Sequence, residues 1–248
     1  IVFDGVSFAY PDAEEKTLDD ITFTAAPGTT TAIIGGTGSG KSSLISLIPR
    51  LFDVTEGSIS LDGQDIRTMP RKSLRAAVGY VPQKGLLFTG TIADNLRYGK
   101  RDATEEELER AAETAQALSF IRELPEGFDT PVAQGGTSVS GGQKQRLSIA
   151  RALIKDPQVL IFDDSFSALD FKTDAALRKA LKESASDKTL IIVAQRINTI
   201  MDADQILVME DGRIVGRGTH KELLAGCSVY KEIAMSQLSE EELGKGVA

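Results

Sequence analysis

The chain of 248 residues has little cysteine, no long apolar run and no excess of positive charge. Its single cysteine, Cys227, excludes an internal disulfide and fits a reducing compartment. No run approaches the roughly 20 apolar residues that a membrane-spanning helix needs, and no signal peptide is recognisable. A net charge of -8 argues against a general nucleic-acid-binding protein, because phosphate contacts need clustered Lys and Arg.

The composition is otherwise that of an ordinary globular protein. Hydrophobic residues make up 41% and charged residues 26% of the chain, enough for one sizeable core. The first residue is Ile rather than Met and already lies in a strand-like stretch, so we expect a domain cut from a longer parent. Residues 237–248 are charged and contain glycine, and we expect a frayed tail there.

Short apolar runs alternate with helical patterns, which is typical of an α/β domain with a largely parallel sheet. Continuously apolar runs predict strands that are covered on both faces. The predicted strands are 29–35, 158–164, 189–195 and 205–215, the last with an Asp-Gly hairpin turn, preceded by antiparallel-like stretches at 1–10 and 17–28. Between about Gln83 and Pro157 the strand pattern stops, which predicts an all-helical insertion. Within it, 104–124 is helical, and Thr104 and Glu107 have the spacing of a capping box.

The stretch GGTGSGKSS (35–43) matches the phosphate-binding pattern G-x-x-x-x-G-K-[ST]. It follows an apolar strand and precedes a helix pattern in which Leu44, Leu47, Ile48 and Leu51 recur. Converging backbone N–H groups and the helix N-terminus favour phosphate, while Lys41 would reach the β- and γ-phosphates. The residues predicted to bind the nucleotide here, ATP if the resemblance described below holds, are Gly35, Thr37, Gly38, Ser39, Gly40, Lys41, Ser42 and Ser43. The alternative is a glycine-rich turn with a chance Lys-Ser.

The run VLIFD (159–163) ends in a carboxylate after four apolar residues. At the end of a buried strand beside a phosphate loop, Asp163 is placed to hold Mg²⁺ together with the Ser42 hydroxyl. A strand-ending Asp that caps a turn is the alternative. The two motifs predict a P-loop nucleotide-binding domain, a class that kinases, GTPases, helicases and transport ATPases share.

The stretch SVSGGQKQRLSIARAL (138–153) narrows the class. Its Ser-Gly-Gly lies where an amphipathic helix begins, which predicts a second anion site with uncovered N–H groups. It resembles the signature motif of ATP-binding cassette (ABC) proteins, with Val139 where the family usually has Leu. The matching residues are Ser140, Gly141, Gly142 and Gln143. Over nearly its whole length the chain resembles an ABC transporter nucleotide-binding domain of the exporter type.

The resemblance implies an α/β fold with a P-loop (RecA-like) parallel-sheet core, an antiparallel β subdomain and an inserted α-helical subdomain. The expected division is 1–82 with 156–236 for the β subdomain and core, and 83–155 for the helical part. The resemblance also implies that Tyr10 stacks on adenine and that Gln83 touches Mg²⁺ and couples to the membrane domain. Tyr10 as a core or edge tyrosine and Gln83 as a surface glutamine are the alternatives.

Further positions match the family in order. Asp170 in SALD (167–170) resembles the D-loop aspartate that reaches across a dimer interface, although it could be a simple helix cap. Residues 86–96 resemble the stretch that follows the Q-loop, the segment of Gln83, in exporters of drugs, peptides and lipids. Residues 130–136 resemble their X-loop, except that Gln134 stands where Glu is usual.

The family also implies partners. Two such domains stack head to tail, and each ATP lies between one chain's phosphate loop and the other chain's signature helix. We expect transmembrane domains upstream in the parent chain. We expect ATP and Mg²⁺ as ligands, and no nucleic acid as a partner. The expected location is the cytoplasmic face of a membrane, the plasma membrane if the source is bacterial.

Two departures fall in this chain's own half-site. Asp164 replaces the family's catalytic Glu, which withdraws the carboxylate by roughly 1.5 Å, and a 1 Å misplacement can cost about a hundredfold in rate. Gln195 replaces the switch histidine and cannot take up a proton. With Gln83, these are the predicted catalytic residues. The pattern resembles the degenerate half of heterodimeric exporters, so we expect weak intrinsic ATPase activity and a non-identical partner that carries Glu and His.

Four alternatives remain at this point. Asp and Gln could be tolerated substitutes in a slower, working enzyme, or the chain could be a nucleotide-responsive dimerisation module without a catalytic contribution. Soluble ABC ATPases of DNA repair or translation usually have coiled-coil insertions or tandem cassettes, and this chain has neither. A P-loop kinase would leave the Ser-Gly-Gly-Gln helix unexplained.

Overall fold

The structure is a computed structural model that describes residues 1–136 and 138–239, so residues 240–248 of the expected tail and the Gln134 side chain lie outside the described part. The strands are β1 (Val2–Phe8), β2 (Leu18–Thr24), β3 (Thr30–Gly35), β4 (Glu56–Leu61), β5 (Gln64–Asp65), β6 (Val78–Val81), β7 (Gly90–Thr91), β8 (Pro131–Val132), β9 (Val159–Asp163), β10 (Thr189–Val193), β11 (Gln205–Glu210) and β12 (Arg213–Gly218). The α-helices are α1 (Lys41–Leu47), α2 (Arg71–Ala77), α3 (Ile92–Arg97), α4 (Glu105–Thr114), α5 (Leu118–Glu123), α6 (Gly141–Leu153), α7 (Phe171–Ser184), α8 (Ile197–Ile200), α9 (His220–Gly226) and α10 (Ser228–Gln237). Short 3₁₀ turns occupy Gly127–Asp129 and Gln134–Gly136.

The central sheet has six strands in the order β12-β11-β3-β10-β9-β6. Its pairs are parallel except for the β11–β12 hairpin. Every residue of β9 and β10 is buried, as their unbroken apolar runs predict. At the hairpin turn Asp211 and Gly212 both have positive φ, 45° and 74°, which suits the predicted Asp-Gly turn.

Alternate residues of the central strands face two different cores, because side chains along a strand point to opposite sides. Ile33 and Ile161 belong to a cluster with the antiparallel sheet β2-β1-β4-β5 and with α1. Their neighbours Ile34 and Phe162 belong to a second cluster, formed with the helices on the other face. The architecture confirms the predicted α/β fold with a parallel core, an antiparallel β part and a helical part.

The region 83–157 is mostly helical, but the expectation that it lacks strands is wrong. β7 and β8 pair antiparallel there, each only two residues long and too short to produce a periodic pattern. The helical stretch 104–124 is divided into α4 and α5, because Gln116 has a left-handed φ of 56°. At the start of α4, Thr104 and Glu107 form the predicted capping box.

Helix α1 is shorter than its apolar pattern suggests. It ends at Leu47, two residues before Pro49: Ile48 keeps helical backbone angles, φ −62° and ψ −50°, but Pro49 has no N–H and cannot continue the helical hydrogen bonds. Leu44, Leu47 and Ile48 are fully buried, whereas Leu51 is 53% exposed, so its inclusion in the stripe is wrong. Among the described residues no helix combines the length and apolar character needed to cross a bilayer.

Candidate functional site

The predicted phosphate loop connects the end of β3 to the start of α1. A Cβ atom on Gly35 would lie 2.1 Å from the carbonyl oxygen of Met209, so only glycine allows β3 and β11 to approach here. Gly40 has a φ of 95°, a left-handed conformation that side chains disfavour. The close approach at Gly35 and the positive φ at Gly40 therefore explain why the sequence pattern has glycine at both positions.

The loop borders a cleft of about 440 Å³ at the carboxyl ends of the central strands. Predicted residues that line it are Gly35, Thr37, Gly38, Lys41, Ser42, Gln83, Asp163, Asp164 and Gln195. Three residues of α10 that the sequence analysis missed also line it: Ile233, Ser236 and Gln237. A larger cavity, of about 630 Å³, lies at the opposite ends of β3 and β10, and none of the predicted site residues lines it.

Lys41 lies over its own loop. Its ammonium group donates hydrogen bonds to the carbonyl oxygens of Gly36 and Gly35, at 2.6 and 2.8 Å. Burial lowers the pKa of Lys41, while the nearby carboxylates of Asp164 and Asp163 act in the opposite direction. A desolvated ammonium group beside open backbone amides suits a multiply charged phosphate.

Asp163 is 8% exposed and both of its oxygens have protein donors. Oδ1 accepts from the Ser42 hydroxyl at 3.1 Å, and Oδ2 accepts from the Tyr80 hydroxyl at 3.0 Å. The sequence analysis missed Tyr80, although a phenol within the short apolar strand β6 was a usable signal. Burial, reinforced by the charge of Asp163, raises the pKa of Tyr80, so the phenol stays protonated and donates.

The donor set here fits Mg²⁺. A carboxylate, a hydroxyl and an amide oxygen are hard ligands, and the described residues contain no group of three or more His, Cys, Asp or Glu that could hold a metal alone. Mg²⁺ usually binds through one or two carboxylates together with substrate phosphates, which matches Asp163 beside the phosphate loop. Ser42, Asp163 and Gln83 are the side chains that would hold it.

The three predicted catalytic side chains meet at one oxygen atom. Asp164 Oδ2 accepts from Gln83 Nε2 at 3.0 Å and from Gln195 Nε2 at 2.8 Å. Asp164 is 7% exposed and has a left-handed φ of 46°. Burial raises its pKa, and the charge of Asp163 adds to this, whereas the hydrogen bond from Gln83 opposes it.

Tyr10 follows β1 and lies beside the start of α1. Its hydroxyl is 2.9 Å from the Ser43 hydroxyl, and its ring packs edge-on against Phe8 and Phe52. The ring is 38% exposed, so Tyr10 is not a core tyrosine. An exposed aromatic ring that is held at its edges can offer a face to a nucleotide base.

The residues of the signature motif lie apart from this cleft and begin α6. Ser140 caps the helix: its hydroxyl accepts from Gln143 N at 3.2 Å, and Gln143 Oε1 accepts from Ser140 N at 2.9 Å. The expectation of uncovered N–H groups is therefore wrong for these two. Gly141 is exposed and Gly142 half-buried. Val139 packs against the core cluster of the helical face.

Asp170 caps α7 within its own chain. Its carboxylate accepts from Thr173 N at 2.9 Å and from the Thr173 hydroxyl at 2.7 Å. The simple helix cap, which the sequence analysis kept as the alternative, is thus present. Neither Asp170 nor residues 140–143 line the phosphate-loop cleft.

Comparison with known proteins gives consistent matches. The family model described as ABC transporter matches residues 18–167. An uncharacterised ABC transporter ATP-binding protein of Mycobacterium tuberculosis is 50% identical over 243 residues, covering 97% of this chain and 41% of that protein. A beta-(1→2)glucan export ATP-binding/permease protein of Rhodopseudomonas palustris is 48% identical over 242 residues, covering 98% of this chain and 40% of that protein.

The solved structure of a bacterial Atm1-family ABC exporter with ATP bound is 42% identical, with a TM-score of 0.92. It covers 96% of this chain, and this chain spans 42% of that one. The chain thus spans less than half the length of the relatives named here. The chain belongs to the ABC transporter family and is an ATP-binding domain of the exporter type.

Proposed function

We propose that this domain binds ATP with Mg²⁺, dimerises head to tail around it with a second nucleotide-binding domain, and drives substrate export across a membrane. Its own site is degenerate and mainly holds ATP, while its signature helix completes a partner's hydrolytic site. The observation that carries this proposal is the neutral amide of Gln195, which together with Gln83 donates to a single oxygen of the short carboxylate Asp164.

ATP binding is supported by the convergence of the phosphate loop, Lys41 and the Ser42–Asp163 pair on one cleft. The contact between the Tyr10 and Ser43 hydroxyls, beside the loop, supports a role for the Tyr10 ring in stacking on the base. When bound, Mg²⁺ neutralises charge on the β- and γ-phosphates. The Tyr80 hydroxyl donates to Asp163 Oδ2 and so limits the rotation of the carboxylate that would bind the metal.

Slow turnover is expected from the groups around Asp164. Hydrolysis needs a carboxylate that reaches the attacking water, and Asp is one methylene shorter than Glu. Gln195 can donate a hydrogen bond but cannot become charged or pass on a proton. Both amides hold Oδ2 of Asp164, so this oxygen is directed toward its protein neighbours.

The contribution to a partner is supported by the separation of the two anion-binding elements. The helix start at Ser140 does not line the chain's own cleft, which supports the proposal that a nucleotide at this helix is bound by another molecule. The proposed partner is a non-identical domain with Glu and His. The relatives' greater length supports transmembrane domains in the parent protein, with this domain at the cytoplasmic face.

The test restores the family residues. We expect the purified wild-type domain to bind ATP–Mg²⁺ and to hydrolyse it very slowly, and the Asp164→Glu/Gln195→His variant to hydrolyse it about a hundredfold faster. Phosphate release measures turnover, and Lys41→Ala in the restored background controls for contaminating ATPase. Robust turnover by the wild-type domain alone would disprove the degenerate site.

A second experiment mixes this domain, with and without Ser140→Arg, with a competent partner domain. It distinguishes a domain whose signature helix supports hydrolysis by the partner from a dimerisation module without a catalytic contribution.

A further inference from the structure

The last helix among the described residues, α10, borders the phosphate-loop cleft, although no sequence pattern predicts it there. It follows the hairpin β11–β12 and α9, and its final residues Ile233, Ser236 and Gln237 face the same space as Lys41. A helix that lies so close to the phosphate loop can influence the groups that surround the nucleotide.

Gln237 makes two hydrogen bonds to the backbone that carries Gln195. Its Nε2 donates to the carbonyl oxygen of Gln195 at 2.7 Å, and its Oε1 accepts from Ile197 N at 2.9 Å. One planar amide thus holds the backbone on both sides of Arg196. Two parallel hydrogen bonds fix the rotation of this segment as well as its position.

The helix that carries Gln237 is itself firmly held. Tyr230 is completely buried in the core, and its hydroxyl lies 2.6 Å from His220 Nδ1. Ala234 is completely buried one turn further on, and Leu238 is 6% exposed. Gln237 therefore extends from a rigid support, which is what accurate placement of another group requires.

The segment that Gln237 holds carries the side chain that reaches Asp164. Gln195 Nε2 donates to Asp164 Oδ2 at 2.8 Å, while the Gln195 carbonyl on the same residue accepts from Gln237. A rotation of the backbone at Gln195 would move both groups together. The contacts form a continuous chain from α10 to the buried carboxylate.

We propose that Gln237 is a positioning residue, which holds the backbone at 195–197 so that the Gln195 side chain faces Asp164 and the γ-phosphate of bound ATP. This inference rests on the proposed function for its effect on nucleotide. Its structural part, the hold on the backbone, stands independently.

The first test needs no nucleotide. In Gln237→Ala the Ile197 N–H loses its acceptor, so hydrogen exchange of this one amide, followed in a peptide that covers 195–199, should become at least tenfold faster. Met235→Ala is the control, because Met235 is on the same helix and 60% exposed. Circular dichroism establishes that both variants are folded. Equal exchange in Gln237→Ala and wild type would overturn the inference.

The second test measures nucleotide affinity. If Gln237 acts through Gln195, Gln237→Ala should weaken ATP binding severalfold and leave ADP binding unchanged, since ADP lacks the γ-phosphate. In Gln195→Ala the further change Gln237→Ala should then have no added effect. Additive losses, or equal losses for ATP and ADP, would overturn the inference.

The two proposals fail in different ways. If the wild-type domain does not bind ATP, the proposed function is wrong, while the exchange experiment still decides whether Gln237 holds the backbone. If the wild type binds ATP and Gln237→Ala matches it in both experiments, only the positioning role is wrong.

Discussion

Asp164 shows how much the environment of one residue adds to its identity. In the sequence, Asp164 is a carboxylate residue one methylene shorter than Glu, and it directly follows Asp163 at the end of a buried strand. The fold buries both, orients them differently and gives each its own donors: Ser42 and Tyr80 for Asp163, amides for Asp164. The two neighbouring carboxylates therefore have different surroundings and different expected roles.

The raised pKa of Asp164 gives a pH-dependent prediction. Its folded-state pKa lies above the unfolded value, so its contribution to stability is full below the unfolded pKa and is lost as the pH rises through the folded pKa. Asp164→Asn, which cannot ionise, should therefore unfold at higher urea concentration than wild type at pH 7. This advantage should shrink as the pH falls toward 4, and urea titrations across that range measure it.

Asp170→Asn is the matched control, because hydrogen bonds from Thr173 lower the pKa of Asp170. Its carboxylate is favoured by the fold, so this variant should be no more stable than wild type at pH 7. A stabilisation of both variants, or of neither, would contradict the assignment of the two environments.

Helix starts follow local sequence patterns, although of the four capping boxes present the sequence analysis predicted only that of Thr104 and Glu107. Capping boxes begin α3, α4, α6 and α9, formed by Thr91, Thr104, Ser140 and Thr219 with the acidic or amide residue three positions later. The pattern is local, so four consecutive residues contain all of it. Helix ends and very short strands were predicted less well, because Gln116, β7 and β8 depend on contacts outside their own segment.

Thr104→Ala should destabilise the domain by about 1 kcal/mol, since the first turn of α4 loses a side-chain acceptor. Thr114→Ala, at the last residue of the same helix, removes a hydroxyl without removing a cap and should have a smaller effect. Urea unfolding at pH 7 compares the two. Equal destabilisation would mean that the capping box does not contribute.

On the scale of the whole molecule, the parallel sheet brings distant segments to one edge. Residues 35–42, 83, 163–164 and 195 follow different strands and meet because parallel strands place their carboxyl ends on the same side. Each face of this sheet is covered by its own core, so the edge is rigid. A ligand bound across it should stabilise the entire fold.

ATP with Mg²⁺ at a hundred times its Kd should add about 2.7 kcal/mol to the free energy of unfolding. For a chain of this length that corresponds to a rise of roughly 5–10 °C in Tm, which differential scanning fluorimetry measures. Lys41→Ala should lose most of this rise, and wild type without nucleotide gives the baseline. An unchanged Tm for wild type at saturating ATP would contradict binding in the cleft.

By itself the sequence determined the fold class, through the alternation of apolar runs and helical patterns, and predicted the phosphate loop, the candidate metal-binding carboxylate and the signature-like helix, because each of these three motifs lies in contiguous residues. Only the tertiary structure decided that Gln83 and Gln195 share one oxygen of Asp164, that Tyr80 supports Asp163, and that Gln237 reaches the backbone at Gln195. These contacts join residues 31 to 83 positions apart. No local pattern encodes them, since they depend on the order of the strands and on where α10 packs.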